Sequence, residues 1–119
     1  MFYHYWISWK EVDELKIITL CGSTKFKEQF REAEAALAWE GNIVISLGFF
    51  EQSENIKLTN EHEMKLEALH RKKIDMCDEI FVIDVHHYIG KSTAKEIDYA
   101  RRNGKGVRYY SEEKLIAIH

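Results

Sequence analysis

The stretch Glu79–Tyr110, EIFVIDVHHYIGKSTAKEIDYARRNGKGVRYY, decides the fold class. Its opening EIFVIDV is a short run dominated by β-branched and aromatic residues, which reads as a strand buried on both faces. A loop, HHYIGK, leads into a helix predicted from about Thr93 to Asn103, which Gly104 stops. Gly106 to Tyr110 then reads as the next strand. A strand, a helix and a second strand at this spacing form a right-handed crossover unit, so the two strands are parallel.

The same grammar extends toward the N-terminus. Lys16 to Cys21, KIITLC, is another apolar run, ended by Gly22-Ser23-Thr24. Phe26, Phe30, Ala33 and Leu37 then fall on one stripe of a helix over residues 25–40, which Gly41-Asn42 ends. Asn42 to Leu47, NIVISL, reads as a strand, and a polar connection from Gly48 to Thr59 precedes a helix from Asn60 to Met76. The expectation is a three-layer α/β domain of the Rossmann or flavodoxin-like kind, with about four parallel strands in the order 2-1-3-4. Residues 112–118 suggest a short terminal helix. Residues 1–15, with Phe2, Tyr3, Tyr5, Trp6 and Trp9, read as an aromatic arm that packs on its own domain or on a second copy.

At 119 residues with 45% hydrophobic residues, the chain is sized for one domain, residues 1–119, with one core. No apolar run approaches the ~20 residues that span a bilayer, so no membrane association is expected. The N-terminus has neither a basic start nor a continuous apolar segment, and Cys21 and Cys77 lack CxxC spacing. Reduced thiols and a cytoplasmic location follow as expectations. With 17 Lys and Arg against 20 Asp and Glu, no basic field exists to hold a long nucleic acid.

In a sheet of this order the ligand crevice opens beyond the carboxyl ends of strands one and three. That places Gly22, Ser23, Thr24 and Lys25 on one side, offering backbone amides, two hydroxyls and a cation to an anion. Residues from Asp84 to Glu96 lie on the other. Gly90-Lys91-Ser92 imitates the tail of a P-loop, but the motif's first glycine would fall at Val85, which excludes it. Gly90, Ser92 and Thr93 remain as a second helix start suited to a phosphate, and Tyr88 is placed to stack on a base. Glu96 has two explanations. It completes a capping box with Thr93, or it is a carboxylate aimed into the crevice beside Asp84 as nucleophile or base.

His70 and Lys73 interrupt an inward stripe read as Leu66, Leu69, Ile74 and Cys77. Buried polar groups need partners. An ion pair with Asp84 or Asp78 satisfies them, and so does a ligand. Adjacent His86 and His87 point in opposite directions and no HExxH or CxxC spacing exists, so no metal and no cofactor are expected.

With these motifs on the page, residues 17–110 resemble the nucleoside 2-deoxyribosyltransferase-like superfamily. Ser92 to Ala100, STAKEIDYA, is similar to that family's G-x-x-x-E-[IL]-G-x-A helix start. The resemblance implies that Glu96 is a nucleophile toward the anomeric carbon of a nucleoside or nucleotide. It also implies a homodimer or larger homo-oligomer with a small nucleotide or nucleoside as its ligand. Three positions depart from the family: His70 stands at its acidic residue, Gly90 at an aspartate and Leu20 at a tyrosine. The glycines and hydroxyls around Gly22 and Ser92 resemble the branch that hydrolyses nucleoside 5′-monophosphates, with His70 as the acid. A nucleotide-binding module without chemistry and an interaction domain built on the aromatic arm are the alternatives.

Overall fold

Ile18 and Leu20 point to one face of the sheet, Thr19 and Cys21 to the other, and all four are fully buried. Strand periodicity requires that alternation, and a strand buried on both faces requires helices on both sides. The computed structural model of the chain, which describes residues 15–48 and 57–115, has that architecture. Strands β1 (Ile17–Gly22), β2 (Ile43–Ile45), β3 (Glu79–Ile83) and β4 (Gly106–Tyr109) form one parallel sheet in the order β2-β1-β3-β4. The longest register joins Ile18–Gly22 to Glu79–Ile83 at the centre.

Helix α1 (Lys27–Trp39) follows a 3-10 turn at Thr24–Phe26 and buries Phe30, Ala33 and Leu37 against Ile18, Leu20, Phe81 and Ile83. Helices α2 (Asn60–Asp75) and α3 (Lys91–Arg102) cover the opposite face, where Ile74, Ile97 and Ala100 pack with Cys21, Ile80 and Val82. Fully burying each large side chain here contributes roughly 1.5–3 kcal/mol.

Polar side chains, some buried and some at the surface, tie these layers to the sheet. Thr19 Oγ1 donates to the Lys73 carbonyl at 2.8 Å, which holds the end of α2 on β1. Asp78 accepts from the Ile17 amide at 2.8 Å. Arg108 donates to Glu79 at 3.0 Å and grips Glu113 through two bonds of 2.7 and 2.8 Å.

Five details differ from the sequence reading, the first being that β3 ends at Ile83, because Asp84 and Val85 already belong to the 3-10 turn that follows, as its cap and its first residue. The second strand is three residues long because Ile43 lies at an open edge and is largely exposed. Leu69 is half exposed, and the inward residues of α2 are His70 and Ile74, because the N-terminal half of α2 overhangs the crevice instead of the sheet. Helix α3 begins at Lys91, two residues early, with Gly90 in the cap position. After β4 the chain makes a 3-10 turn at Tyr110–Glu112 and residues 113–115 are not helical. The aromatic arm and residues 116–119 lie outside the described residues.

Gly22 ends β1 with φ +151°, and a Cβ there would stand 2.9 Å from the Ile83 carbonyl oxygen and 3.0 Å from Ile83 Cβ. Gly104 has φ +72° with open space around it. In urea denaturation, Gly104→Ala is expected to cost about 1–2 kcal/mol from backbone strain alone. Gly22→Ala adds the clash and is expected to cost roughly 3 kcal/mol or more. Equal losses would refute the close approach as the reason for glycine.

Candidate functional site

The chain leaves β1 toward α1 on one face and leaves β3 toward α3 on the other, so a crevice opens between the two departures. It is a cleft of about 700 Å³. Gly22, Ser23 and Thr24 line it from β1, Leu66, Glu67, His70 and Lys73 from α2, and Tyr88, Gly90, Ser92, Thr93 and Glu96 from the approach to α3.

The early start of α3 changes what Glu96 does. With Gly90 at the cap and the Ala94 amide bonded to the Gly90 carbonyl at 2.9 Å, Glu96 sits in the second turn and Thr93 lies buried inside the first. The capping box does not form. Instead the Glu96 carboxylate stands 3.6 Å from His70 Nε2. The same nitrogen is 3.3 Å from Cys21 Sγ, which reaches it from the end of β1. These contacts replace the partners expected for His70. Asp78 is engaged with the Ile17 amide, and Asp84 accepts from the Ser111 amide at 2.8 Å and the Ser111 hydroxyl at 2.7 Å.

Asp84 therefore ties β3 to the turn after β4 and does not line the cleft. Lys25 is likewise outside the lining. Its ammonium lies 3.6 Å from the centre of the Tyr88 ring, and Tyr88 meets the Phe26 ring edge-on at 5.9 Å. The loop that carries Tyr88 contains two left-handed residues, His86 at φ 54° and His87 at φ 62°. Non-glycine residues in that region are uncommon. Lys73 Nζ donates to the Ser46 carbonyl at 2.9 Å, and burial lowers its pKa.

Burial dominates the electrostatics. It raises the Glu96 pKa to about 7, with Glu67 adding repulsion. It lowers the His70 pKa to about 4, with Lys73 adding to the effect. It also pushes the Cys21 thiol well up, reinforced by Glu96 and Cys77. Between about pH 4.5 and 6.5 an unfolded chain holds one proton on this pair, on the imidazole. The folded chain also holds one, but on the glutamate. At neutral pH His70 is an uncharged imidazole and Glu96 is divided between its acid and carboxylate forms.

No family model, curated protein or solved structure matches this chain.

Sequence reasoning missed two members of the site. Cys21 reads as one more apolar residue of a buried strand, and only the pairing of β1 with β3 below the two helices brings its sulfur to His70. Glu67 lies one helical turn before His70, a spacing that would have placed it on the same side of α2.

The two ionisations make opposite contributions to stability. Glu96, raised in the folded state, contributes stability that is lost as pH rises from about 4.5 to 7. His70, lowered in the folded state, contributes stability that is lost as pH falls from about 6.5 to 4. Each is on the order of 3 kcal/mol. Relative to the parent, Glu96→Gln should therefore gain stability as pH rises from 4.5 to 7. His70→Gln should lose stability as pH rises from 4 to 6.5. Urea midpoints measured across pH 4–8 check this, and difference profiles of the same sign would contradict it.

Proposed function

We propose that this protein is an N-glycosidase of nucleoside 5′-monophosphates in which Glu96 is the nucleophile. The observation that carries the proposal is a carboxylate, near half-ionised at neutral pH, lining the same crevice as two glycine-and-hydroxyl turns. Gly90 begins α3 with no side-chain cap on its first amides, which suits them to a phosphate, and at the 3-10 turn after β1 the Ser23 hydroxyl, which accepts from the Lys25 amide, adds a second polar group. The resemblance of Ser92–Ala100 to the deoxyribosyltransferase-like helix start supports the role of Glu96.

The chemistry follows from the ionisation states. The Glu96 carboxylate attacks C1′ as the bond to the base breaks, giving a glycosyl ester and leaving the bond electrons on the base nitrogen. A lysine whose pKa is lowered by burial is the better proton donor, which assigns protonation of the departing base to Lys73. Water then attacks C1′ and returns Glu96 as carboxylate, its proton passing to the neutral His70 imidazole. His70 is thus better suited to base than to acid, the opposite of the role suggested by its family position.

One observation favours the non-catalytic reading. Neither group first expected beside Glu96 is placed to act as an acid, since His70 is uncharged at neutral pH and Asp84 is turned away onto Ser111. A nucleotide-binding module would be stabilised thermally by nucleotides and release no base.

The deciding experiment incubates the protein, in the presence of a chelator, with ribo- and deoxyribonucleoside monophosphates and follows free base by chromatography. Release should rise as pH passes through about 7 and Glu96 ionises. Glu96→Ala should lower it by roughly a thousandfold or more. Full release by Glu96→Ala removes the proposed nucleophile, and thermal stabilisation without release favours the binding module. Ser23→Ala and Ser92→Ala should each raise KM for a monophosphate by about tenfold, a loss of one hydrogen bond to a charged group, and leave KM for the free nucleoside unchanged.

A further inference from the structure

Cys21, His70 and Glu96 come from three elements, β1, α2 and α3, and their side chains converge on one point at the floor of the cleft. Sγ is 3.3 Å from Nε2, Nε2 is 3.6 Å from the carboxylate, and all the ligating atoms lie within 4.8 Å of one another. An imidazole nitrogen has one proton or one lone pair to offer. A hydrogen bond between Cys21 and His70 uses it, which leaves the carboxylate aimed at a nitrogen with nothing further to give. A divalent cation satisfies all three groups together.

The spacing fits such an ion. Zinc bonds of about 2.3 Å to sulfur and 2.0–2.1 Å to nitrogen or oxygen make tetrahedral edges of about 3.3–3.6 Å. The sulfur–nitrogen edge is 3.3 Å where about 3.6 Å is needed and the nitrogen–oxygen edge 3.6 Å where about 3.3 Å is needed, so both lie within about 0.3 Å of the tetrahedral values. The third needs only a turn of the glutamate side chain, the most exposed of the three groups. A thiol, an imidazole and a carboxylate select a borderline-soft cation over magnesium or calcium. His70 and Glu96 both line the cleft, so an ion held by three protein ligands there would have the open form, with a solvent oxygen or a bound ligand completing it.

We propose that Cys21, His70 and Glu96 form a binding site for one divalent cation of the zinc class. Binding releases the thiol proton and engages the Glu96 carboxylate, so a metal-loaded chain cannot use that carboxylate against C1′. The inference shares Glu96 and His70 with the glycosidase reading but does not depend on it.

The test uses Co²⁺ with the full-length chain at pH 7.5, where a cobalt–thiolate bond has a charge-transfer absorption in the near ultraviolet. The chain has only two cysteines, so the sulfur can be assigned. One Co²⁺ per chain with this band is expected. Cys21→Ala should abolish the band, and Cys77→Ala, which removes the other buried thiol, should keep it. Glu96→Gln, at a partly exposed position that leaves the core intact, should weaken binding by about tenfold or more, and Zn²⁺ should displace the band in the parent. Absence of the band, its survival in Cys21→Ala, or unchanged affinity in Glu96→Gln overturns the proposal. Base release in chelator is measured separately: cobalt binding without base release sinks only the glycosidase reading, and release without the band sinks only the metal site.

Discussion

The close approach of β1 and β3 is the constraint on which the rest depends. Both strands are buried on both faces, and their register runs through Gly22 and Ile83, where no side chain fits between them. Beyond that point the two strands send their connections to opposite faces of the sheet. The crevice is the space left by that divergence, and its walls are the first turns after β1 and β3 with the overhanging half of α2. Thr19 and Lys73 anchor the C-terminal end of α2, from which the overhanging half extends, one through the α2 backbone and the other through the Ser46 carbonyl just after β2.

Burial at the floor of this crevice determines its chemistry. Moving a carboxylate and an imidazole out of water penalises the charged form of each, so the pair keeps its single proton and transfers it from histidine to glutamate. The structure avoids two buried charges, and the fold keeps a poised carboxylate at little net pH dependence through the mildly acidic range. Cys21 contributes a third group of the same kind, a thiol that burial holds neutral beside the shared imidazole nitrogen. One arrangement of a neutral thiol, a neutral imidazole and a half-ionised carboxylate is thereby ready for two different partners: an electrophilic carbon facing the carboxylate, or a cation that replaces the protons.

Asp84 and Glu96 illustrate how far sequence patterns carry. Both were legible as acids near the carboxyl end of the third strand. Asp84 is the last residue before the chain turns, and it points away to satisfy Ser111, a partner 27 residues distant that no local pattern reveals. Glu96 carries a capping-box spacing, but that motif depends on where the helix begins. A start at Lys91 rotates the glutamate into the second turn and onto His70. His70 and Lys73 were visible as breaks in an apolar stripe, which correctly signalled that each needs a partner; the partners are Cys21 and the Ser46 carbonyl, supplied by neighbouring strands.

By itself the sequence determined the α/β class, the strand order and the region of the crevice. Hydrophobic period, glycine stops and the handedness of crossovers are local or topological rules that need no coordinates. Tertiary structure alone decided which polar side chains meet. It brought Cys21 under His70, turned Glu96 toward the same nitrogen and withdrew Asp84 from the cleft. The reason is physical: ionisation and ligation depend on distances of a few ångströms and on exclusion of water, and both arise only when separate elements pack.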